Sequence, residues 1–174
     1  MTGQLNIVLF GFMGTGKSTV GRILARKLGM DFVDMDSEIE RRTGKTVPQI
    51  FAEDGEHHFR RLERALVREL SGRNATVIAA GGGVVLNPEN IADFARNGLL
   101  ICLNATPETI LRRVRDESHR PLLEQGEKGS RVREMLQARR PYYDALPYQV
   151  ETDDRTPDEI AGEIIALVHR KEKD

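Results

Sequence analysis

Apolar residues along the chain fall into short runs, and longer amphipathic stretches lie between them. The apolar runs are residues 5–10, 32–33, 76–79, 99–103 and 148–150. The stretches with apolar residues at helical spacing are 17–28, 37–42, 56–70, 88–96, 107–114, 130–142 and 157–169. Short apolar runs are typical of buried strands, and their alternation with helices predicts a parallel sheet that is covered on both faces. The pattern therefore predicts an α/β fold of three layers, with ligands bound at the carboxyl ends of the strands.

The segment directly after the first run has the composition of a phosphate-binding loop. Residues 11–18, GFMGTGKS, match the pattern G-x-x-x-x-G-K-[ST] in full and lie between a predicted strand and a predicted helix. The glycines allow backbone N–H groups to curl around a phosphate chain, and the start of the helix adds partial positive charge. In such a loop Lys17 reaches the terminal phosphates and the Ser18 hydroxyl can ligate Mg²⁺.

Length, charge and cysteine content narrow the class of protein further. The chain has 174 residues, which predicts one domain over residues 1–174, and its net charge is −1. A net charge this small produces no strong electrostatic attraction to nucleic acid or to a membrane surface. No apolar run is long enough to span a bilayer. The single cysteine, Cys102, lies in an apolar run and is expected in the core. Without an internal disulfide or a signal-like N-terminus, we expect a cytoplasmic protein.

Two acidic residues follow the second predicted strand. Asp34 and Asp36 are separated by one residue, so on an extended segment their carboxylates would point to the same side. One carboxylate could hold Mg²⁺ through water, and the other could orient a substrate hydroxyl or accept its proton. Asp36 could instead cap the next helix. We favour the chemical role, because the pair lies where the phosphate loop opens.

Three further features could complete a site, and each also has a structural explanation. Residues 81–83, GGG, follow the third strand and permit either close approach of the backbone to a ligand or a simple turn. Arg60 and Glu63 are three residues apart on a predicted helix, which by periodicity alone indicates a helix salt bridge. Residues 116–129, DESHRPLLEQGEKG, are polar and have no period. A loop of this length inside a domain is more often a lid than a passive connection.

Taken in order, these segments resemble the shikimate kinase family along nearly the whole chain. The segments that carry the resemblance are GFMGTGKST (11–19), FVDMD (32–36), IFAEDGEHHFRRLE (50–63), IAAGGG (78–83), RPLL (120–123) and ARRPYY (138–143). The resemblance implies transfer of the γ-phosphoryl group of ATP to the 3-hydroxyl of shikimate, a step toward chorismate and the aromatic amino acids. It also implies a monomer with a P-loop fold, in which five parallel strands have the order 2-3-1-4-5.

The resemblance further implies roles for individual residues. Those implied to bind ATP are Gly14, Thr15, Gly16, Lys17, Ser18, Thr19, Arg113, Arg120 and Arg155. Those implied to bind shikimate are Asp36, Arg60, Gly81, Gly82, Gly83 and Arg139. Residues 37–65 would form a shikimate-binding subregion, and Ser18 and Asp34, the latter through water, would organise one Mg²⁺ ion. The residues implied to act in the transfer are Lys17, Asp36 as the base, and Arg120 in a lid at residues 112–126.

Several alternatives stay open at the level of sequence. Arg139 and Arg140 are adjacent, as are Arg112 and Arg113, so either member of each pair could contact the ligand. Ala80 stands where many members of the family have a small polar residue, which removes any contact through a hydroxyl. The alternative functions are another small-molecule kinase, for gluconate or a nucleoside monophosphate, and a module that binds ATP without catalysis. A switch GTPase would need an N-K-x-D motif, which the sequence lacks.

Overall fold

The predicted apolar runs form the strands of one parallel sheet. The computed structural model describes residues 3–114 and 128–174. Its strands are β1 (Asn6–Phe10), β2 (Asp31–Asp34), β3 (Thr76–Ala79), β4 (Gly98–Asn104) and β5 (Tyr148–Glu151). They pair in parallel in the order β2-β3-β1-β4-β5. The predicted fold class and strand order are therefore confirmed.

Helices connect the strands and cover both faces of the sheet. In the described residues they are α1 (Lys17–Leu28), α2 (Met35–Thr43), α3 (Val47–Glu53), α4 (Glu56–Ser71), α5 (Pro88–Ala95), α6 (Pro107–Val114), α7 (Lys128–Asp144) and α8 (Pro157–Lys171). Each predicted helix is present, with bounds within two residues of the expected ones. Across 3–114 and 128–174, none of the helices combines the length and the apolar character that a membrane crossing requires.

Within residues 3–114 and 128–174, two short helical elements lie beyond the predicted ones, α3 and a 3₁₀ helix at Val84–Leu86. Both are too short to show a hydrophobic period. The start of α3 is nevertheless marked in the sequence by a capping box. The Thr46 side chain accepts from the N–H of Gln49 at 3.2 Å, and the Gln49 side chain accepts from the N–H of Thr46 at 2.8 Å.

The sheet divides the core into two clusters, because alternate residues of each strand point to opposite faces. On β1, Ile7 and Leu9 pack with α1 and α8, whereas Val8 and Phe10 pack with the helices of the other face. Cys102 belongs to the second cluster and is fully buried, as predicted. With both faces covered, the edge at the carboxyl ends of the strands is the place where loops can form a cavity.

Candidate active site

A cavity of about 430 Å³ opens at the carboxyl edge of the sheet. Its lining comes from segments that follow β1, β2 and β3, together with α4, α6 and α7. We divide the site into two groups of residues. The loop half consists of the phosphate loop at residues 11–19, Asp34 and Arg113. The triplet half consists of Asp36, Arg60, Glu63, the glycine triplet at residues 81–83, and Arg139.

The backbone of the phosphate loop adopts a conformation that glycine permits. Gly14 and Gly16 have φ angles of 80° and 94°, in the left-handed region that other residues rarely occupy. Gly16 thereby leads the chain into α1, whose first residue is Lys17. The Lys17 ammonium donates to the carbonyl oxygens of Gly11 at 2.5 Å and Phe12 at 3.2 Å. A positive charge thus lies along the loop beside the N-terminus of a helix, an arrangement that suits an anion.

Asp34 connects the phosphate loop to the end of β2. The Ser18 hydroxyl donates to Asp34 Oδ2, and Asp34 Oδ1 accepts from the N–H of Ser37 at 3.1 Å. The second bond caps α2, which begins at Met35. A hydroxyl and a carboxylate are oxygen ligands of the kind that Mg²⁺ prefers, and here they meet beside a phosphate-binding loop.

This cap corrects one detail of the sequence analysis. Asp34 and Asp36 do not lie on one extended segment, because α2 begins between them. Asp34, and not Asp36, caps that helix, and Asp36 lies in its first turn. Both carboxylates line the cavity, but the change from strand to helix places one in each half.

The triplet half contains a buried ion pair. Arg60 donates to the Glu63 carboxylate at 3.0 Å and to that of Glu56 at 3.3 Å. Glu63 is only 2% exposed. Burial raises the pKa of Glu63 to about 7 even though Arg60 and Arg139 oppose the change, and the Asp36 carboxylate raises it further. The predicted Arg60–Glu63 pair is therefore confirmed, and its carboxylate lies in the interior, unlike that of a surface helix salt bridge.

Each glycine of the triplet lies against a charged side chain of the cavity. A Cβ atom added to each glycine would lie too close to such a group. The added Cβ would be 2.8 Å from Asp36 Oδ1 at position 81, 3.2 Å from Arg139 Nη1 at position 82, and 2.5 Å from Arg60 Nη2 at position 83. Larger residues would push these groups out of place. The triplet is thus explained by close packing around two arginines and an aspartate.

Helix α7 supplies the second arginine of the triplet half. Arg139 is buried, and its guanidinium carbon lies 5.5 Å from the centre of the Phe12 ring. Arg140 is exposed and lines a separate cavity. One turn along α7, the Tyr143 hydroxyl donates to the carbonyl oxygen of Gly82 at 2.8 Å. The structure therefore brings Arg139, and not Arg140, to the triplet half.

Arg113 is the arginine of α6 that reaches the loop half. It lines the cavity and donates to the carbonyl oxygen of Gly14 at 3.0 Å. It also contacts Thr152, through bonds of 3.2 Å to the hydroxyl and 3.1 Å to the carbonyl oxygen. Arg112, in contrast, is exposed. The rotation of α6 therefore brings Arg113, and not Arg112, to the cavity.

Of the other residues expected to bind a nucleotide, some line the cavity and others do not. Thr19 lines the cavity, whereas the Thr15 hydroxyl donates to the carbonyl oxygen of Phe12 within the loop at 2.8 Å. Arg155 is not among the described residues that line the cavity. Its guanidinium forms an ion pair of 2.5 Å with Glu163 of α8.

Arg120 and most of the lid predicted at residues 112–126 lie outside the described residues. Several residues that line the cavity were absent from the set of individually predicted residues, among them Ser37, Glu40 and Phe51. Tyr143 and Thr152, which hydrogen-bond residues of the site, were also absent. Tyr143 has a signal in the sequence, since it follows Arg139 by four residues and so shares its helical face. Thr152 has no comparable signal, because its contact with Arg113 depends on how β5 and α6 pack.

The chain is similar to known proteins both in sequence and in structure. A family model described as "Shikimate kinase" matches residues 13–169. The shikimate kinase of Pelotomaculum thermopropionicum is 49% identical over 160 residues, which cover 92% of this chain and 93% of the relative. The shikimate kinase of Desulforudis audaxviator is 52% identical over 147 residues, which cover 84% and 77%. A solved structure of shikimate kinase from Acinetobacter baumannii in complex with shikimate has a TM-score of 0.93 at 37% identity, over 98% of this chain and 96% of that one.

The similarities span the phosphate loop, the triplet and α7 alike. They agree with a cavity that joins a phosphate-binding loop to a group of arginines and carboxylates. The chain therefore belongs to the shikimate kinase family and is an ATP-dependent small-molecule kinase.

Proposed function

We propose that this kinase transfers the γ-phosphoryl group of ATP to the 3-hydroxyl of shikimate and releases shikimate 3-phosphate and ADP. The observation that carries the proposal is the division of the cavity into a loop half and a triplet half. The loop half suits a chain of phosphates, and the triplet half offers arginines for a carboxylate and an acid for a hydroxyl. The relative from Acinetobacter baumannii, solved with shikimate, supports this acceptor because it aligns with 98% of the chain.

In the loop half, the phosphates of ATP would lie along residues 14–19, and Lys17 would turn from the loop carbonyls toward the β- and γ-phosphates. The Ser18 hydroxyl and the Asp34 carboxylate would hold one Mg²⁺ ion, the latter through water. This donor set fits the ion, because Mg²⁺ keeps several waters and binds one or two protein oxygens together with substrate phosphates. When bound, Mg²⁺ neutralises negative charge on the transferred group.

In the triplet half, Arg60 and Arg139 would hold the carboxylate of shikimate, since guanidinium groups bind carboxylates through two parallel hydrogen bonds. Asp36 would orient the 3-hydroxyl and accept its proton. The hydroxyl oxygen then forms a bond to the γ-phosphorus, while the bond from that phosphorus to the bridging oxygen breaks and ADP leaves. Residues 81–83, without side chains, would let the ring approach the backbone.

Several assignments complete the proposal. Residues 37–65 form the shikimate-binding subregion, and residues 112–126 form a lid that brings Arg120 to the transferring group and excludes water. Arg113 lies along the adenine, and Arg155 frames its other side. The enzyme acts as a cytoplasmic monomer in the pathway to chorismate, with ATP and shikimate as its partners and without nucleic acid or a membrane.

The experiment that tests this function is ADP release from Mg-ATP with shikimate, gluconate or a nucleoside monophosphate offered separately. We expect rapid turnover with shikimate alone, and loss of that turnover when EDTA removes the Mg²⁺. Turnover with another acceptor and none with shikimate would contradict the acceptor assignment while leaving the kinase class in place. ATP binding without turnover on any acceptor would instead indicate a binding module.

A further inference from the structure

A buried threonine joins the ends of β4 and β5 behind the loop half. Thr152 directly follows β5 and has no exposed surface. Its N–H at 2.9 Å and its hydroxyl at 2.7 Å both donate to the carbonyl oxygen of Asn104, the last residue of β4. The Asn104 side chain in turn donates to Gln149 Oε1 at 2.7 Å. Thr152 is thus held firmly at the sheet edge that carries the site.

The same threonine supplies two acceptors for Arg113. Arg113 Nη1 donates to Thr152 Oγ1 at 3.2 Å, and Nη2 donates to the Thr152 carbonyl oxygen at 3.1 Å. Nη1 also donates to the carbonyl oxygen of Gly14 in the phosphate loop at 3.0 Å. Because the guanidinium group is planar and rigid, bonds along its edge determine the plane in which it lies. All three acceptors are neutral oxygens, so these bonds do not cancel the charge of Arg113.

We propose that Thr152 is a positioning residue for the nucleotide: its hydroxyl orients Arg113, and through Arg113 it holds the phosphate loop at Gly14. The inference rests on the nucleotide-binding part of the proposed function. The buried Thr152 hydroxyl already has a hydrogen-bond partner in the carbonyl oxygen of Asn104. The two contacts between Thr152 and Arg113 are therefore not needed to satisfy that hydroxyl, and they call for a further explanation. A guanidinium group bound by its edge presents a flat face on which a nucleobase can stack.

Three single variants separate this role from a general effect on stability. Thr152→Val replaces the hydroxyl by a methyl group of similar size and leaves both backbone bonds of residue 152 in place. Thr152→Ser keeps the hydroxyl. Thr76→Val is the matched control, since Thr76 is also a buried strand threonine whose hydroxyl donates to a backbone carbonyl oxygen, that of Asn74 at 3.0 Å. Thr76 begins β3 and so lies at the opposite edge of the sheet.

The measurement is the Kd for Mg-ADP by titration calorimetry, with no acceptor present. ADP carries the base and the phosphates but cannot be turned over. We expect Thr152→Val to raise this Kd roughly fivefold to tenfold, because a hydrogen bond to a charged group is lost while two others remain. Thr152→Ser and Thr76→Val should match the parent. An unchanged Kd in Thr152→Val, or an equal rise in Thr76→Val, would overturn the proposal.

A double-mutant cycle tests whether the effect passes through Arg113. Arg113→Met removes the donors at similar length, and we expect it to weaken Mg-ADP binding more than Thr152→Val does. Adding Thr152→Val to Arg113→Met should then change the Kd no further, whereas a second full effect would contradict the route. The outcome of this test does not depend on the acceptor. If the parent protein binds Mg-ADP but phosphorylates an acceptor other than shikimate, the proposed acceptor is wrong and the test of Thr152 can still be made.

Discussion

The loop half and the triplet half of the cavity hold their cations in different ways. In the loop half, Lys17 and Arg113 donate to backbone carbonyl oxygens, including those of the loop itself. In the triplet half, Arg60 donates to the buried carboxylate of Glu63, which also interacts with Arg139. Backbone carbonyl oxygens carry no formal charge, whereas the Glu63 carboxylate opposes the charge of Arg60 when it is ionised. The hydrogen bonds cited for the two halves therefore differ in the charge of their acceptors.

This difference predicts how each half selects its ligand. A chain of phosphates carries several negative charges and can be bound largely by positive charge and helix N-terminal N–H groups. An acceptor with one carboxylate must compete with Glu63 and Glu56 for Arg60, so it can bind well only when its shape also satisfies Asp36 and Arg139. On the proposed function, charge would therefore contribute most to nucleotide binding, and the arrangement of side chains would select the acceptor.

The largest effect that separates the halves is expected from Asp36→Asn. The change removes the proposed base but keeps the size of the side chain, so kcat with shikimate should fall on the order of a thousandfold. The Kd for Mg-ADP should stay near that of the parent, because Asp36 belongs to the triplet half. Asp31→Asn, at the exposed start of β2, is the control and should change neither quantity. Near-normal turnover of Asp36→Asn would remove this residue from the mechanism.

The loop half illustrates what a sequence can predict. Most of its parts lie within one segment, GFMGTGKST, whose spacing predicts the turn, the lysine and the hydroxyl. Asp34 and Arg113 come from other segments. The helix positions also follow from local patterns, whereas the strand order is implied only by the resemblance to a family. The exception in this half is a contact between distant segments, that of Arg113 with Thr152.

The triplet half could be predicted only in part, because it is assembled from four separate segments. The sequence predicts Asp36 on an extended segment after the second strand, whereas the cap formed by Asp34 starts a helix at that point. Arg139 and Arg140 are equivalent in sequence, and only the rotation of α7 distinguishes them, since neighbours on a helix point about 100° apart. The burial that shifts the pKa of Glu63 depends on α2, β3 and α7 packing against α4.

The paired charges of the triplet half predict a pH dependence of stability. Glu63 has a pKa of about 7 in the folded protein, raised by burial from the ordinary 4.5. Between these values the folded protein binds more protons than the unfolded chain, so unfolding becomes easier as the pH rises. The contribution of Glu63 is full below pH 4.5 and is lost as the pH rises through 7, a change on the order of 3 kcal/mol.

Urea unfolding from pH 5 to pH 8 measures this contribution. Glu63→Gln is neutral throughout, so its free energy of unfolding should improve relative to the parent as the pH rises. Glu56→Gln, which removes the exposed carboxylate that also contacts Arg60, is the control and should follow the parent profile. Parallel profiles for the parent and Glu63→Gln would show that Glu63 does not take up a proton in this range.

The next largest effect concerns the two adjacent arginines of α7. Arg139→Lys keeps a positive charge but loses the two parallel N–H donors that match a carboxylate. The KM for shikimate should therefore rise about tenfold to thirtyfold. The KM for ATP should change little. Arg140→Lys is the matched control and should behave as the parent, because Arg140 is exposed and lines another cavity. A larger effect at Arg140 would mean that α7 presents its other face to the substrate.

The smallest effect is expected from Tyr143→Phe, and it tests whether the halves are independent. Burial raises the pKa of Tyr143 to about 12, so its hydroxyl stays protonated and donates to Gly82 beside Arg139. Losing that bond should raise the KM for shikimate roughly twofold to fivefold, with the Kd for Mg-ADP unchanged. Tyr142→Phe, at a position 47% exposed, is the control. If Tyr143→Phe weakened Mg-ADP as much as shikimate, the hydroxyls of Tyr143 and Thr152 would support one connected site, and the separation of the halves would be wrong.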